Sequence, residues 1–106
     1  MGLLRAIPAD SLEPDAVRQF EIEGREPIAI YRLGDDFFAT DDLCTHGAAS
    51  LSEGDIEGDD IICPFHDGSF NIRTGQVTGA PCVTPVASYP VSTGADGFLY
   101  VEMPEL

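Results

Sequence analysis

Cys44-Thr45-His46-Gly47 and Cys63-Pro64-Phe65-His66-Asp67-Gly68-Ser69-Phe70 are the two stretches whose reading decides the fold. Each begins with a short hook that carries one thiol and one imidazole, Cys-x-His in the first and Cys-x-x-His in the second, and sixteen residues separate the hooks. They use both histidines of the chain and two of its three cysteines. Soft sulfur and borderline nitrogen donors suit zinc or an iron–sulfur centre. Zinc sites favour hooks that pair cysteine with cysteine and histidine with histidine. A mixed hook makes sense where two metals are held, because each hook then gives one ligand to each metal. Two further readings stay open at this point: a zinc-binding interaction module, and plain core cysteines with satisfied histidines.

The paired hooks resemble the two cluster-binding loops of Rieske ferredoxins, in which two histidines replace two cysteines on one iron of a [2Fe–2S] cluster. Gly79-Ala80-Pro81-Cys82 falls where that family has a proline-containing loop over the cluster. The resemblance covers nearly the whole chain. It implies one [2Fe–2S] cluster per chain, with Cys44 and Cys63 on the inner iron and His46 and His66 on the outer iron. These four residues are the expected cofactor and metal ligands.

The resemblance also ranks the potential. High-potential Rieske proteins join their loops by a disulfide, whose positions here are Ala49 and Phe65. They also donate to the cluster sulfurs from a serine and a tyrosine, whose positions here are Gly68 and Phe70. Ser69 is one position out of register and does not replace them. Losing these donors in an acidic protein lowers the potential toward the bottom of the Rieske range, about −150 mV.

The chain has 106 residues, which suits one domain over 1–106 with a modest core. It has 19 carboxylates, five arginines, no lysine and a formal charge of −14, which argues against nucleic-acid and anionic-membrane partners. Glu53, Asp55, Glu57, Asp59 and Asp60 gather between the hooks, either as a solvated face or as a field that steers toward basic partners. No apolar run approaches membrane-spanning length, and the N-terminus lacks the apolar stretch of a signal peptide. A monomer in the reducing cytoplasm is expected, where thiols stay available as ligands.

Short strands punctuated by turns run along the chain. They are expected at Leu3–Ala6, Val17–Ile22, Pro27–Leu33, Phe37–Thr40, Asp60–Ile62, Ser69–Asn71, Ala87–Val91 and Phe98–Glu102. Gly34-Asp35-Asp36 and Gly94-Ala95-Asp96-Gly97 read as turns, Pro8 to Pro14 as a connection, and Asp41–Leu43 as at most a single helical turn. The fold class is all-β: an antiparallel sandwich or barrel-like base, interrupted from about residue 42 to 81 by a loop-rich segment that carries the hooks. The resemblance identifies this segment with the cluster-binding subdomain of the Rieske fold.

Around the hooks, Pro64, Phe65, Pro81 and Val83 are expected to form an apolar collar, Cys82 to be a small apolar filler, and Asp67 to be solvated. No histidine remains for general-base work, and with both histidines spent there is no site of two histidines and one carboxylate to activate oxygen. The chain is therefore expected to carry electrons rather than catalyse. It most resembles the ferredoxin of aromatic-ring dioxygenase systems. That resemblance implies a low-potential one-electron carrier between an NADH-dependent flavoprotein reductase and a terminal oxygenase. A small Rieske-like subunit of an assimilatory nitrite reductase is the alternative within redox chemistry.

Overall fold

Ile28-Ala29-Ile30-Tyr31 offers no polar side chain for a solvent face, and a strand of that kind needs cover on both sides. The computed structural model, which describes residues 2–45, 49–64, 68–80 and 84–104, supplies it. Among the described residues, eleven strands follow in chain order: β1 (Gly2–Pro8), β2 (Ala16–Phe20), β3 (Ile28–Leu33), β4 (Asp36–Asp41), β5 (Asp55–Glu57), β6 (Asp60–Ile62), β7 (Ser69–Asn71), β8 (Val77–Gly79), β9 (Ser88–Tyr89), β10 (Val91–Thr93) and β11 (Phe98–Met103). They build three antiparallel sheets with the orders β1-β11-β10, β2-β3-β4-β9 and β5-β6-β7-β8.

The side chains of β3 alternate between two cores, as the two-residue period of a strand requires. Ile28 and Ile30 join Ala39 of β4 and Leu99, Val101 and Met103 of β11. Ala29, Tyr31 and Leu33 join Ile61 of β6, Phe70 of β7, Ile72, Leu51 and Val86. The sheet containing β3 is thus the shared middle layer. One of its faces completes the base with β11, and the other supports the β5–β8 sheet. Both cysteines of the hooks belong to the second core.

Two connections show how local chemistry sets this geometry. Glu57 pairs with Asp60, so β5 and β6 are joined by the two residues Gly58-Asp59. Gly58 has φ +62°, the left-handed value that a two-residue hairpin needs at its first central position. The acidic segment between the hooks is therefore a hairpin, where the sequence suggested a loop leading into a single strand. At the other end of the chain, the expected strand Ala87–Val91 is two strands. Ser88 and Tyr89 pair with β4, whereas Val91 to Thr93 pair with β11. Pro90 lies between them. It has no N–H for a ladder and a fixed φ, so the chain changes sheets there.

The structure also adds β8 and two short 3-10 turns, Ala9–Ser11 and Leu51–Glu53, to the expected elements. Asp41 ends β4 as a paired strand residue, and Leu43 forms a lone antiparallel bridge with Ser50. No helix among the described residues is long and apolar enough to cross a membrane.

Candidate metal centre

The two hooks are built on the same frame. In the first, Leu43 bridges Ser50 and the Cys44 N–H donates to the Ala49 carbonyl at 2.9 Å. In the second, Ile62 pairs with Ser69 and the Cys63 N–H donates to the Gly68 carbonyl at 2.6 Å. Each cysteine therefore opens a hairpin tip that closes five residues later, and each sits one residue beyond the last paired position. Cys44 is 2% exposed and Cys63 is 0% exposed. Phe70, Leu51 and Val86 of the same core surround them. Sheet pairing thus carries two sequence-distant cysteines into one buried apolar core.

A third segment ties the tips together. Gly79 of β8 pairs with Ser69, directly beyond the second hook. Thr84 accepts, through its carbonyl oxygen, a hydrogen bond of 2.7 Å from Thr45 Oγ1 inside the first hook. The chain between Gly79 and Thr84 therefore starts at one hook and arrives at the other. Its far end is fixed further by Val86, which is buried in the core and donates its N–H to the Gly75 carbonyl at 2.9 Å. A Cβ on Gly75 would collide with that same Val86 carbonyl region, so the close approach requires glycine.

Among the residues singled out from the sequence, the structure brings Cys44 and Cys63 together. His46, Phe65, His66, Asp67, Pro81, Cys82 and Val83 lie outside the described residues. Among the described residues no group of three or more His, Cys, Asp or Glu side chains is placed to hold a metal. Of the expected collar, Pro64 is exposed. Phe70 is fully buried in the core, with no hydroxyl to offer. The Ser69 hydroxyl shares a hydrogen bond with Thr78 Oγ1 at 2.8 Å, across β7 and β8. Glu53, Asp55, Glu57 and Asp59 are exposed, with Asp55 and Glu57 on the solvent side of the edge strand β5.

Asp42 was not legible as part of the site. It is 1% exposed, two residues before Cys44. Its Oδ1 accepts the Ser52 N–H at 2.8 Å, and its Oδ2 accepts from Gln19 Nε2 at 2.7 Å. Its carbonyl accepts the Leu51 N–H at 2.7 Å, which continues the ladder of the first hook. Tyr31 lies nearby, with its hydroxyl 2.8 Å from Thr40 Oγ1. Burial pushes that hydroxyl well above the ordinary tyrosine range, and the Asp42 charge acts in the same direction.

Two buried cysteines on matched hydrogen-bonded frames are a donor pair for a soft metal. Such a pair suits zinc or an iron–sulfur centre, and the comparisons with known proteins decide between them. Residues 3–90 match the model of the Rieske [2Fe-2S] domain, and the chain belongs to that family. Its cofactor is accordingly a [2Fe–2S] cluster. The chain is 45% identical over 98 residues to ferredoxin CarAc of Metapseudomonas resinovorans, covering 92% of this chain and 91% of the relative. It superposes with a TM-score of 0.89 on a chain of the complex of reduced oxygenase and oxidised ferredoxin in carbazole 1,9a-dioxygenase, at 44% identity over 93% of this chain and 91% of the other. A Mycobacterium tuberculosis protein assigned as the small subunit of an NADH-dependent nitrite reductase gives a TM-score of 0.82 at 20% identity, covering 94% and 93%, which shows the shared fold alone.

Proposed function

We propose that this protein is a low-potential one-electron carrier of an aromatic-ring dioxygenase system. It takes electrons from an NADH-dependent flavoprotein reductase and delivers them to a terminal oxygenase in the cytoplasm. Cys44 and Cys63 hold the inner iron, and His46 and His66 hold the outer iron. When bound, the cluster supplies a single reversible Fe(III)/Fe(II) step. The protein's own part is to bury the thiolates, fix both hooks and leave the outer side facing the tips.

The observation that carries this reading is the matched closure of the two hooks over buried Cys44 and Cys63. It supports a site that is rigid in both oxidation states, as rapid electron transfer favours. The similarity to CarAc over most of both chains favours an oxygenase partner, and a complex between an oxygenase and a related ferredoxin supports the same view. With all four ligands used, the cluster has no open position for substrate, so catalysis belongs to the oxygenase.

Anaerobic stopped-flow mixing tests the reading. Chemically reduced protein, mixed with the oxidised oxygenase component of a carbazole dioxygenase, is expected to recolour as it loses one electron, while the oxygenase is reduced by that electron. The reductase with NADH is expected to reduce the protein. Reduction by a nitrite reductase flavoprotein alone, with no transfer to an oxygenase, would favour the alternative. Stoichiometric zinc without sulfide would exclude both.

A further inference from the structure

Asp42 is a fully buried carboxylate whose partners are both neutral. Gln19 Nε2 reaches one oxygen and the Ser52 N–H the other, at 2.7 and 2.8 Å. The ion pairs among the described residues engage Arg5, Arg25, Arg32 and Arg73 with Asp96, Asp41, Asp35 and Asp59, and Arg18 is bonded to Ser11. None of these cations is placed on Asp42. Each oxygen accepts one N–H, and a buried charge held by dipoles alone keeps most of its field. Asp42 stands two residues before Cys44 in the chain, and Cys44 shares its core with Cys63.

We propose that Asp42 sets the potential of the site. Its buried, cation-free charge raises the energy of the reduced cluster relative to the oxidised one. The other carboxylates near the hooks are unlike it: Glu53, Asp55, Glu57 and Asp59 are exposed, and water and salt screen them. A unit charge about 10 Å away, at an effective dielectric near 20, changes an electron-transfer equilibrium by roughly an order of magnitude. The inference rests on the proposed cluster ligands. It adds a residue, Asp42, that the ligand motif does not contain.

Charge is removable here without loss of hydrogen bonds. In Asp42→Asn, the side-chain oxygen still accepts the Ser52 N–H, and the new NH2 donates to Gln19 once the exposed Gln19 amide turns over. Gln19→Lys leaves Asp42 in place and sets an ammonium against it from an exposed position. Asp42→Asn of the cluster-loaded protein is expected to raise the reduction equilibrium constant about tenfold, which is about 59 mV for one electron, and Gln19→Lys, partly screened, to raise it by a smaller factor. Ser92→Lys, which adds the same charge on exposed β10 of the sheet that bears no hook, is expected to change it far less. The readout is a spectroelectrochemical titration, with the visible spectrum confirming an intact cluster. If Asp42→Asn fails to retain the cluster, Gln19→Lys decides alone. A loaded Gln19→Lys protein with the wild-type potential, or one shifted no more than Ser92→Lys, overturns the inference. A wild type that takes up no cluster would instead fail the ligand assignment, and the inference with it.

Discussion

Thr45 and Thr84 lie 39 residues apart in the chain, and the Thr45 hydroxyl donates to the Thr84 carbonyl at 2.7 Å. The bond joins the first hook to the segment that arrives from the second. Thr45→Val is close in shape but lacks the donor. It is expected to lower stability by about 1 kcal/mol, the usual net value of one such bond. It is also expected to speed cluster loss to a chelator, followed by visible absorbance. Thr45→Ser keeps the hydroxyl and is expected to restore both. Equal rates in the valine and wild-type proteins would show that the bond does not hold the hooks.

Ser69 follows the second hook, and its hydroxyl lies 2.8 Å from Thr78 Oγ1. Ser69→Ala is expected to leave the midpoint potential unchanged while costing about 1 kcal/mol in thermal or urea unfolding. A drop in potential would mean that the hydroxyl serves the cluster after all.

Gly58 turns the acidic hairpin at φ +62°, and nothing lies within 4 Å of where a Cβ would stand. Gly58→Ala therefore meets backbone strain alone. The expected cost is roughly 1–2 kcal/mol, read from denaturant midpoints, with no change in the visible spectrum. A stabilised variant would contradict the turn geometry.

Tyr89 on β9 donates to Asp41 Oδ1 at 2.7 Å, and Arg25 Nη2 donates to the same oxygen at 2.8 Å. Burial first, and then the bond to Asp41, raise the Tyr89 hydroxyl above its ordinary value. A raised tyrosine is stabilising in its protonated form. That stability is fully present below the unfolded value of about 10 and is lost as pH rises through the folded value. The wild type is expected to exceed Tyr89→Phe by roughly 1 kcal/mol at pH 8, with the gap closing above about pH 10. Thermal melts from pH 8 to 11 on both proteins measure it, and Tyr31, common to both, cancels in the difference. A constant gap over that range would show that the hydroxyl proton plays no part.

The family was legible because ligand chemistry constrains residue type and spacing together, and the two mixed hooks contain both histidines of the chain. The long strands were legible for a related reason: β3, β4 and β11 are long enough to display side-chain periodicity. The three-residue strands were not. Val77-Thr78-Gly79 and Asp55-Ile56-Glu57 are strands because neighbouring strands pair with them, and no local signal separates them from turns. The break at Pro90 was available in the sequence but was overruled by the apolar residues on either side. Asp42 was hidden for a different reason. Asp41 and Asp42 look alike in sequence, and only the fold places one against Arg25 and Tyr89 and the other in the core.

Pulsed electron paramagnetic resonance on the reduced protein tests the central claim most directly, because it reads the ligand atoms of the cluster. The expected result is a rhombic signal, with average g below that of all-cysteine [2Fe–2S] centres and couplings from two imidazole nitrogens. Each histidine variant, His46→Cys or His66→Cys, is expected to remove one of those couplings. A reduced protein with a [2Fe–2S] signal but no nitrogen coupling, or with no signal at all, would contradict the assignment of His46 and His66 and the carrier function built on it.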